Sequence, residues 1–523
     1  MLFSNRKRSF LVSTLVCCLI SGFSQERSVD KLDAKYLNWQ NHDLATDREL
    51  GASVNKAYRE LLGKKTPKKV VVVAVIDGGV DIDHEDLQGK IWVNEDEIPG
   101  NNIDDDNNGY IDDIHGWNFI GNKNGENLHY ENYEFTRVYS KGNGPFYDHA
   151  KKLHEEAIAK HTQEKESIAR FETLYYQAKA TIKNKTGIEV TSLKDLDGIT
   201  PEDGEPVMRA KRFLVPRYEQ GFSEKGLDDY KKYNKHVLEK YLNPDLNARV
   251  LVGDDPTNIN DVAYGNPDVK GPRADHGTSV AGIIAAVRDN NLGIDGIATE
   301  VRIMCLRSTP EGDERDKDVA LAIRYAVNNG ADIINMSFGK PISPQKKFVD
   351  DAVKLAEEKD VLLIHAAGND GNNIDKVDSY PSDRYLNAVE ATNWINIGAS
   401  SSTDGDAAAA NFSNYGKKHV DLFAPGANII STDTGNYYSM NDGTSLSAPV
   451  VTGVAALVLS YYPDLTSKQL IQLLLESSFK VDHKVLQPNK SGAKPKKVKF
   501  NTLSKSGGIV NAFEALNRAE SLK

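Results

Sequence analysis

Residues 69–77 read KVVVVAVID and are followed by Gly78 and Gly79. A β-branched run with no polar alternation describes a strand covered on both faces, as in a buried parallel sheet. Comparable runs recur at 301–306 (VRIMCL), 331–336 (ADIINM), 360–367 (DVLLIHAA) and 394–399 (WINIGA). Among the segments between them, 317–329 (KDVALAIRYAVNN) sets Val319, Ile323, Ala326 and Val327 on one helical face, and Gly330 supplies the stop. Strand, helix, strand in this order predicts an α/β fold: a doubly wound parallel β-sheet flanked by helices, with right-handed crossovers. Ligands of such sheets gather at the carboxyl ends of the strands, which is where Asp77 stands.

The stretch 128–245 departs from this rhythm. Residues 148–183 alternate Lys and Glu with Leu153, Ala157, Ile168, Phe171, Leu174, Tyr175, Ala178 and Ile182, the pattern of a long solvated amphipathic helix. Thr191 and Ser192 offer a cap for a shorter helix, and 227–242 reads as another. We therefore expect a helical insertion at 128–245 in a domain running from 69 to 523. Residues 480–499 carry seven lysines broken by Gly492 and Pro495, and read as a flexible surface loop.

At the other end, Arg6, Lys7 and Arg8 precede the apolar stretch Phe10 to Phe23 and the small-residue pattern Gly22-Phe23-Ser24. This is the layout of a secretory signal peptide over 1–24, with cleavage expected after Ser24 and delivery to the periplasm, cell surface or medium. Removal takes away Cys17 and Cys18 and leaves Cys305, so no internal disulfide is available. Cys305 sits in an apolar run and reads as core. Residues 25–68 form an N-terminal extension too short for an independent inhibitory domain; we expect it to wrap the catalytic body. After the first 25 residues no apolar run is long enough to span a membrane. A net charge of −11 argues against binding to a nucleic-acid backbone.

Three motifs carry chemistry. Ile76-Asp77-Gly78-Gly79-Val80 puts a carboxylate at a strand end. Asp275-His276-Gly277-Thr278-Ser279-Val280-Ala281-Gly282 runs into IIAAV, with His276 in the first turn of a buried helix. Asp442-Gly443-Thr444-Ser445-Leu446-Ser447-Ala448-Pro449-Val450 opens another helix, with Pro449 suited to its first turn and Ser445 just before it. Together the three motifs resemble those of the subtilisin-like serine proteases (subtilases, peptidase S8 family), whose triad runs in the order Asp, His, Ser. The resemblance covers 69–127 and about 250–460 well, and 128–245 hardly at all. The family usually shows Asp-Ser-Gly or Asp-Thr-Gly where this chain has Asp77-Gly78-Gly79.

The resemblance implies a serine endopeptidase acting on polypeptides through an acyl-enzyme. Ser445 is then the nucleophile, His276 the general base, Asp77 its orienting carboxylate and Asn369 an oxyanion donor. It also implies that Ser337, Phe338 and Gly339, with Ala366, Ala367 and Gly368, line the pocket for the residue before the cut. The alternative is a catalytically silent fold used for binding. An α/β-hydrolase requires the order Ser, Asp, His and a G-x-S-x-G elbow, and Ser445 lies in Gly443-Thr444-Ser445-Leu446-Ser447 instead.

Residues 101–113 (NNIDDDNNGYIDD) space Asp104, Asp106 and Asn108 two apart before Gly109, Tyr110 and Asp113. Hard oxygen ligands ahead of a glycine turn resemble the start of an EF-hand loop, but His115 stands where the closing Glu belongs. We expect a structural Ca2+ held by Asp104, Asp106, Asn108, Tyr110 and Asp113, in a loop closed by Asp112 or Asp113.

Overall fold

The computed structural model describes residues 25–26, 28–490 and 494–522; the export signal expected at 1–24, with Cys17 and Cys18, lies outside the described residues, as does Gly492. The parallel strands are β1 (Val71–Asp77), β2 (Gly116–Asn118), β3 (Val301–Arg307), β4 (Ile333–Met336), β5 (Leu362–Ala366), β6 (Trp394–Ser400) and β7 (Leu422–Pro425). Their spatial order is β7-β6-β5-β4-β1-β3-β2, and the short strands Gly508–Ile509 and Phe479–Lys480 extend the sheet beyond β7. The chain enters at β1, adds β2 and β3 on one side, then reverses to lay β4 to β7 on the other. The carboxyl end of β1 therefore lies at the switch point, where open α/β sheets form their crevice.

Successive β1 side chains explain the unbroken apolar run, because both faces are covered. Val71, Val73 and Val75 join a core with Ile283 and Ile284 of α1 (Asp275–Ala285) and Val454 and Leu457 of α4 (Thr444–Tyr461). Ala74 and Ile76 face Ile323 and Ala326 of α2 (Asp316–Asn328) and Val353 of α3 (Lys346–Glu358). Contrary to the expectation that no apolar run after residue 25 is long enough to span a membrane, helix α4 is long and apolar enough to do so; 94% of it is buried inside the protein, which makes it the central core helix. Cys305 is buried in β3, as its apolar neighbours imply, and that burial pushes its thiol pKa up.

Residues 28–68 pack onto this body. Trp39 is completely buried and its Nε1–H donates to the Asn428 carbonyl at 3.1 Å. The Tyr58 hydroxyl donates to the Ile297 carbonyl at 3.0 Å, and the Ala512 N–H donates to the Ala52 carbonyl at 2.7 Å.

A second compact unit comprises residues 135–246. Its 40-residue helix Tyr147–Thr186 shares a core with helices Glu205–Glu219 and Glu224–His236, built from Ile168, Phe171, Tyr175, Ile182, Leu214 and Leu227. Ser192 does act as a cap, forming a capping box with Asp195, but on the short 3-10 turn Leu193–Leu196. The unit starts later than the expected 128 because 128–134 is tied to the body: the Leu128 N–H donates to the Ile120 carbonyl and the Glu131 N–H to the Glu311 carbonyl.

The lysine-rich stretch is more ordered than expected. Lys484–Leu486 pairs with Lys497–Lys499 as a two-stranded hairpin that buries Val485 and half-buries Val498. Three-residue strands are too short to show the alternation that would reveal them in sequence.

Candidate active site

Asp77 closes β1 beside Arg307 of β3, and its main-chain carbonyl accepts the Ser308 and Thr309 N–H groups at 3.0 and 3.2 Å. The carboxylate Oδ1 accepts the Gly78 N–H at 2.7 Å, which fixes the side chain toward α1. There His276 Nδ1–H is 2.9 Å from both Asp77 oxygens. Helix α1 comes this close because Gly277 has no side chain: a methyl there would lie 2.1 Å from the Gly79 carbonyl and 3.1 Å from the Asp77 Cβ. Gly78, where the family usually carries a hydroxyl residue, is also confined, with the Arg273 carbonyl 2.8 Å from the position of a Cβ. Desolvation disfavours the charged imidazole, but the Asp77 carboxylate outweighs it, so the His276 pKa is held above the ordinary 6.5.

Ser445 lies in the first turn of α4, where backbone N–H groups have no partner within the helix. Its carbonyl accepts the Ser337 hydroxyl at 2.8 Å; Ser337 in turn accepts from Asn335 Nδ2 at 2.9 Å, and Asn335 Oδ1 accepts the Thr452 hydroxyl of α4 at 2.9 Å. Ser337 and Phe338 line one cleft with Asp77 and His276, so the start of α4 borders the same space. Ser445 Oγ makes no hydrogen bond to His276; contacts of this kind often close only around substrate.

Asn369 follows β5. Its Oδ1 accepts both the N–H and the hydroxyl of Thr444, at 2.8 and 2.9 Å, which leaves Nδ2 facing away from Thr444. A methyl on Gly443 would meet Ser445 Oγ at 2.7 Å and Asn369 Nδ2 at 3.7 Å, so the hydroxyl and the amide face the same small space. Thr444 is the positioning residue that sequence reasoning passed over, although it sits inside the quoted motif. Arg307 is another: fully buried, it donates from Nε to the Gly78 carbonyl at 2.8 Å and from Nη2 to the Leu128 carbonyl at 2.6 Å.

Of the expected pocket residues, Ser337 and Phe338 line the cleft, while Gly339 is exposed beside it. The Phe338 carbonyl is taken by His365 Nε2 at 2.8 Å, and burial drives the His365 pKa down to about 4, so this imidazole is neutral near pH 7. Among the described residues the Ser337 carbonyl and both Gly339 backbone groups make no hydrogen bond, leaving an edge for an added strand. Gly368 adopts φ +100° and donates its N–H to Thr444 Oγ1 at 3.0 Å. Ala366 and Ala367 are buried, and the Ala367 methyl packs with Leu50, Ile374 and Val420 rather than in the cleft.

In the acidic loop, Asp106 and Asp113 come together with Glu97, their nearest oxygens all within 4.8 Å of one another. Glu97 lies before the motif and was missed for that reason. Asp112 is used otherwise, accepting the N–H groups of Gly100, Asn101 and Asn102. Asp104 accepts the N–H groups of Asn108 and Gly109. Asn108 Nδ2 donates to Asp106 and Asp113, and the Tyr110 ring packs edge-on against Trp117 and Tyr325. Burial first, then repulsion within the cluster, raises the pKa values of Glu97 and Asp113. Such an all-oxygen, mutually repelling set fits a hard divalent cation.

The chain is 37% identical over 221 residues to the thermophilic serine proteinase of Bacillus sp. strain AK1, covering 42% of this chain and 49% of that one. It is 34% identical over 239 residues to the intracellular serine protease of Paenibacillus polymyxa, covering 45% and 69%. The match thus spans about half the length of the first relative. A solved protease structure from Pseudoalteromonas arctica is 26% identical, covering 50% of this chain and 80% of that one, with a TM-score of 0.40; at that score the fold rests on the strand order above. The model of the subtilase family, peptidase S8, matches residues 68–508, and the chain belongs to that family.

Proposed function

We propose that the protein is an exported serine endopeptidase. The observation that carries this reading is the Asp77–His276 pair, held at 2.9 Å, bordering one cleft with the start of α4 and Ser445. Substrate backbone adds to the free edge at Ser337 and Gly339, which sets the scissile carbonyl against Ser445. His276 Nε2 takes the hydroxyl proton as Oγ attacks, while Asp77 holds Nδ1–H and stabilises the imidazolium. The oxyanion is met by the Ser445 N–H and Asn369 Nδ2. Collapse breaks the C–N bond, the amine leaves with the proton from His276, and water repeats the sequence to release the acid and regenerate Ser445.

The names of the two relatives support serine-protease chemistry. Export is proposed from residues 1–24; relatives include the minor extracellular protease Epr of Bacillus subtilis as well as intracellular enzymes. The test is mass-spectrometric mapping of new N-termini when denatured proteins are incubated with wild type and with Ser445→Ala. Internal cuts are expected from wild type alone; equal cutting by both, or none by folded wild type, rejects the proposal.

Three expectations follow from the geometry. Because His276 acts as base only when neutral and its pKa is raised, kcat/KM should climb with pH through an acid limb centred above 6.5. A pH–rate profile with its limb at or below 6.5 contradicts this. Asn369→Ala should lower kcat by about 10²–10³ with little change in KM, a magnitude measured in a subtilisin. We also propose that Glu97, Asp106 and Asp113 hold a structural Ca2+. Bound at 100 times its Kd, the ion contributes roughly 3 kcal/mol. Chelation should therefore lower the Tm of wild type by several degrees, and the Tm of Asp113→Asn by much less.

A further inference from the structure

We propose that the lysine-rich hairpin built by Lys484–Leu486 and Lys497–Lys499 is a docking surface for acidic segments of polypeptide. Calling those polypeptides substrates rests on the peptidase reading; the docking itself does not.

The charge pattern is the first observation. The whole chain carries 64 Lys and Arg against 75 Asp and Glu, yet residues 484–499 hold six lysines and no acid. Lys484 stands directly across from Lys499, a like-charge pair that weakens a sheet. Side chains alternate along each strand, so Lys484, Lys497 and Lys499 share the outer face while Val485 and Val498 turn inward. Lys497 pairs with Asp406 at 2.5 Å, and the neighbouring Asp404 lies 3.6 Å from His483 Nε2. Among the described residues Lys484, Lys490, Lys494, Lys496 and Lys499 are exposed and make no ion pair. Five ammonium groups thus raise a positive field on an otherwise acidic molecule.

Packing rather than charge holds this segment in place. Val485 is fully buried in a core with Val481, Phe500 and Leu503. The Leu486 N–H donates to the Asp406 carbonyl at 2.7 Å, the Gln487 N–H to the Lys496 carbonyl at 2.8 Å and the Asn489 N–H to the Asn411 carbonyl at 2.9 Å. The lysines therefore stand on a fixed scaffold, and docking need not order the backbone beneath them.

Position selects the partner. Gly371, two residues beyond Asn369, adopts φ +67°, and a methyl there would lie 2.8 Å from the Lys490 N and 3.0 Å from the Asn489 Cα. The lysine-rich segment thus abuts the loop that carries the expected oxyanion donor, where a polypeptide entering the cleft must pass. The groups on a polypeptide that match an ammonium are the Asp and Glu carboxylates. Lysine is a point charge on a flexible stem, so the surface reads charge density rather than one fixed geometry. Such complementarity acts mainly on encounter, and its effect belongs in KM rather than kcat.

The experiment has a binding arm and a kinetic arm. The full Ser445→Ala chain, which cannot digest its ligand, is titrated with fluorescein-labelled polyglutamate and read by anisotropy. Saturable binding is expected, weakening as salt rises. A variant carrying Lys484→Gln, Lys490→Gln, Lys496→Gln and Lys499→Gln should bind about tenfold or more weakly, since four exposed ion pairs are lost, each worth up to about fivefold. Circular dichroism checks that the variant is folded. In the kinetic arm, two peptides share one cut sequence, flanked by Glu in one and by Gln in the other. With Ser445 intact, the Glu-flanked peptide should show the lower KM at equal kcat; the four substitutions should remove that difference and leave the Gln-flanked peptide unchanged. Absence of polyglutamate binding to folded protein, or equal binding by the variant, overturns the proposal. So does binding of phosphatidylglycerol vesicles in place of polyglutamate, or hydrolysis of both peptides with the same KM. Hydrolysis of neither peptide counts against the peptidase reading alone, because the binding arm does not depend on it.

Discussion

Ser445→Ala should reduce kcat for peptide hydrolysis by about 10⁶-fold, the loss found for the nucleophile of a subtilisin. The size follows from geometry. The hydroxyl is the only atom of this side chain that can form the acyl bond, and the methyl left behind keeps the Ser445 N–H and Asn369 in place. Substrate binding should survive, because the edge at Ser337 and Gly339 does not use the hydroxyl. Residual turnover should therefore stay measurable above the uncatalysed rate, and KM should move little. A loss of only tenfold would mean that another group attacks.

Asp77→Asn should cost about 10⁴-fold in kcat. The carboxylate accepts His276 Nδ1–H at 2.9 Å with both oxygens, which fixes the tautomer that leaves Nε2 free as base. An amide in its place can offer an N–H to Nδ1 and so favour the opposite tautomer. The same change removes the charge that raises the His276 pKa, so the acid limb of kcat/KM should move to lower pH. Loss of rate without movement of the limb would show that Asp77 acts only through folding.

The fold was legible because β1 is buried on both faces. Val71, Val73 and Val75 serve one core and Ala74 and Ile76 the other, so the run of valines carried the layer architecture directly. Asp77, His276 and Ser445 were legible because each sits where an element begins or ends, in a motif of small residues that permits close approach. What escaped depends on distant partners. Thr444 holds the Asn369 amide through a contact spanning 75 residues. Glu97 joins the acidic cluster from outside its motif. Arg249 pairs with Asp254 and, across 69 residues, with Asp318 in a buried ion network that no local pattern announces. The Ala367 methyl packs into the core rather than the cleft, because it lies one residue past the end of β5, where no strand alternation announces its face.

Labelling with a fluorophosphonate tests the central claim most directly, because the reagent reacts only with a hydroxyl activated by a base and flanked by oxyanion donors. Folded wild-type protein should take up one equivalent, located by peptide mass spectrometry on Ser445, and His276→Ala should take up almost none. Folded wild type that stays unlabelled, or that is labelled on another side chain, would contradict the assembled relay of Asp77, His276 and Ser445.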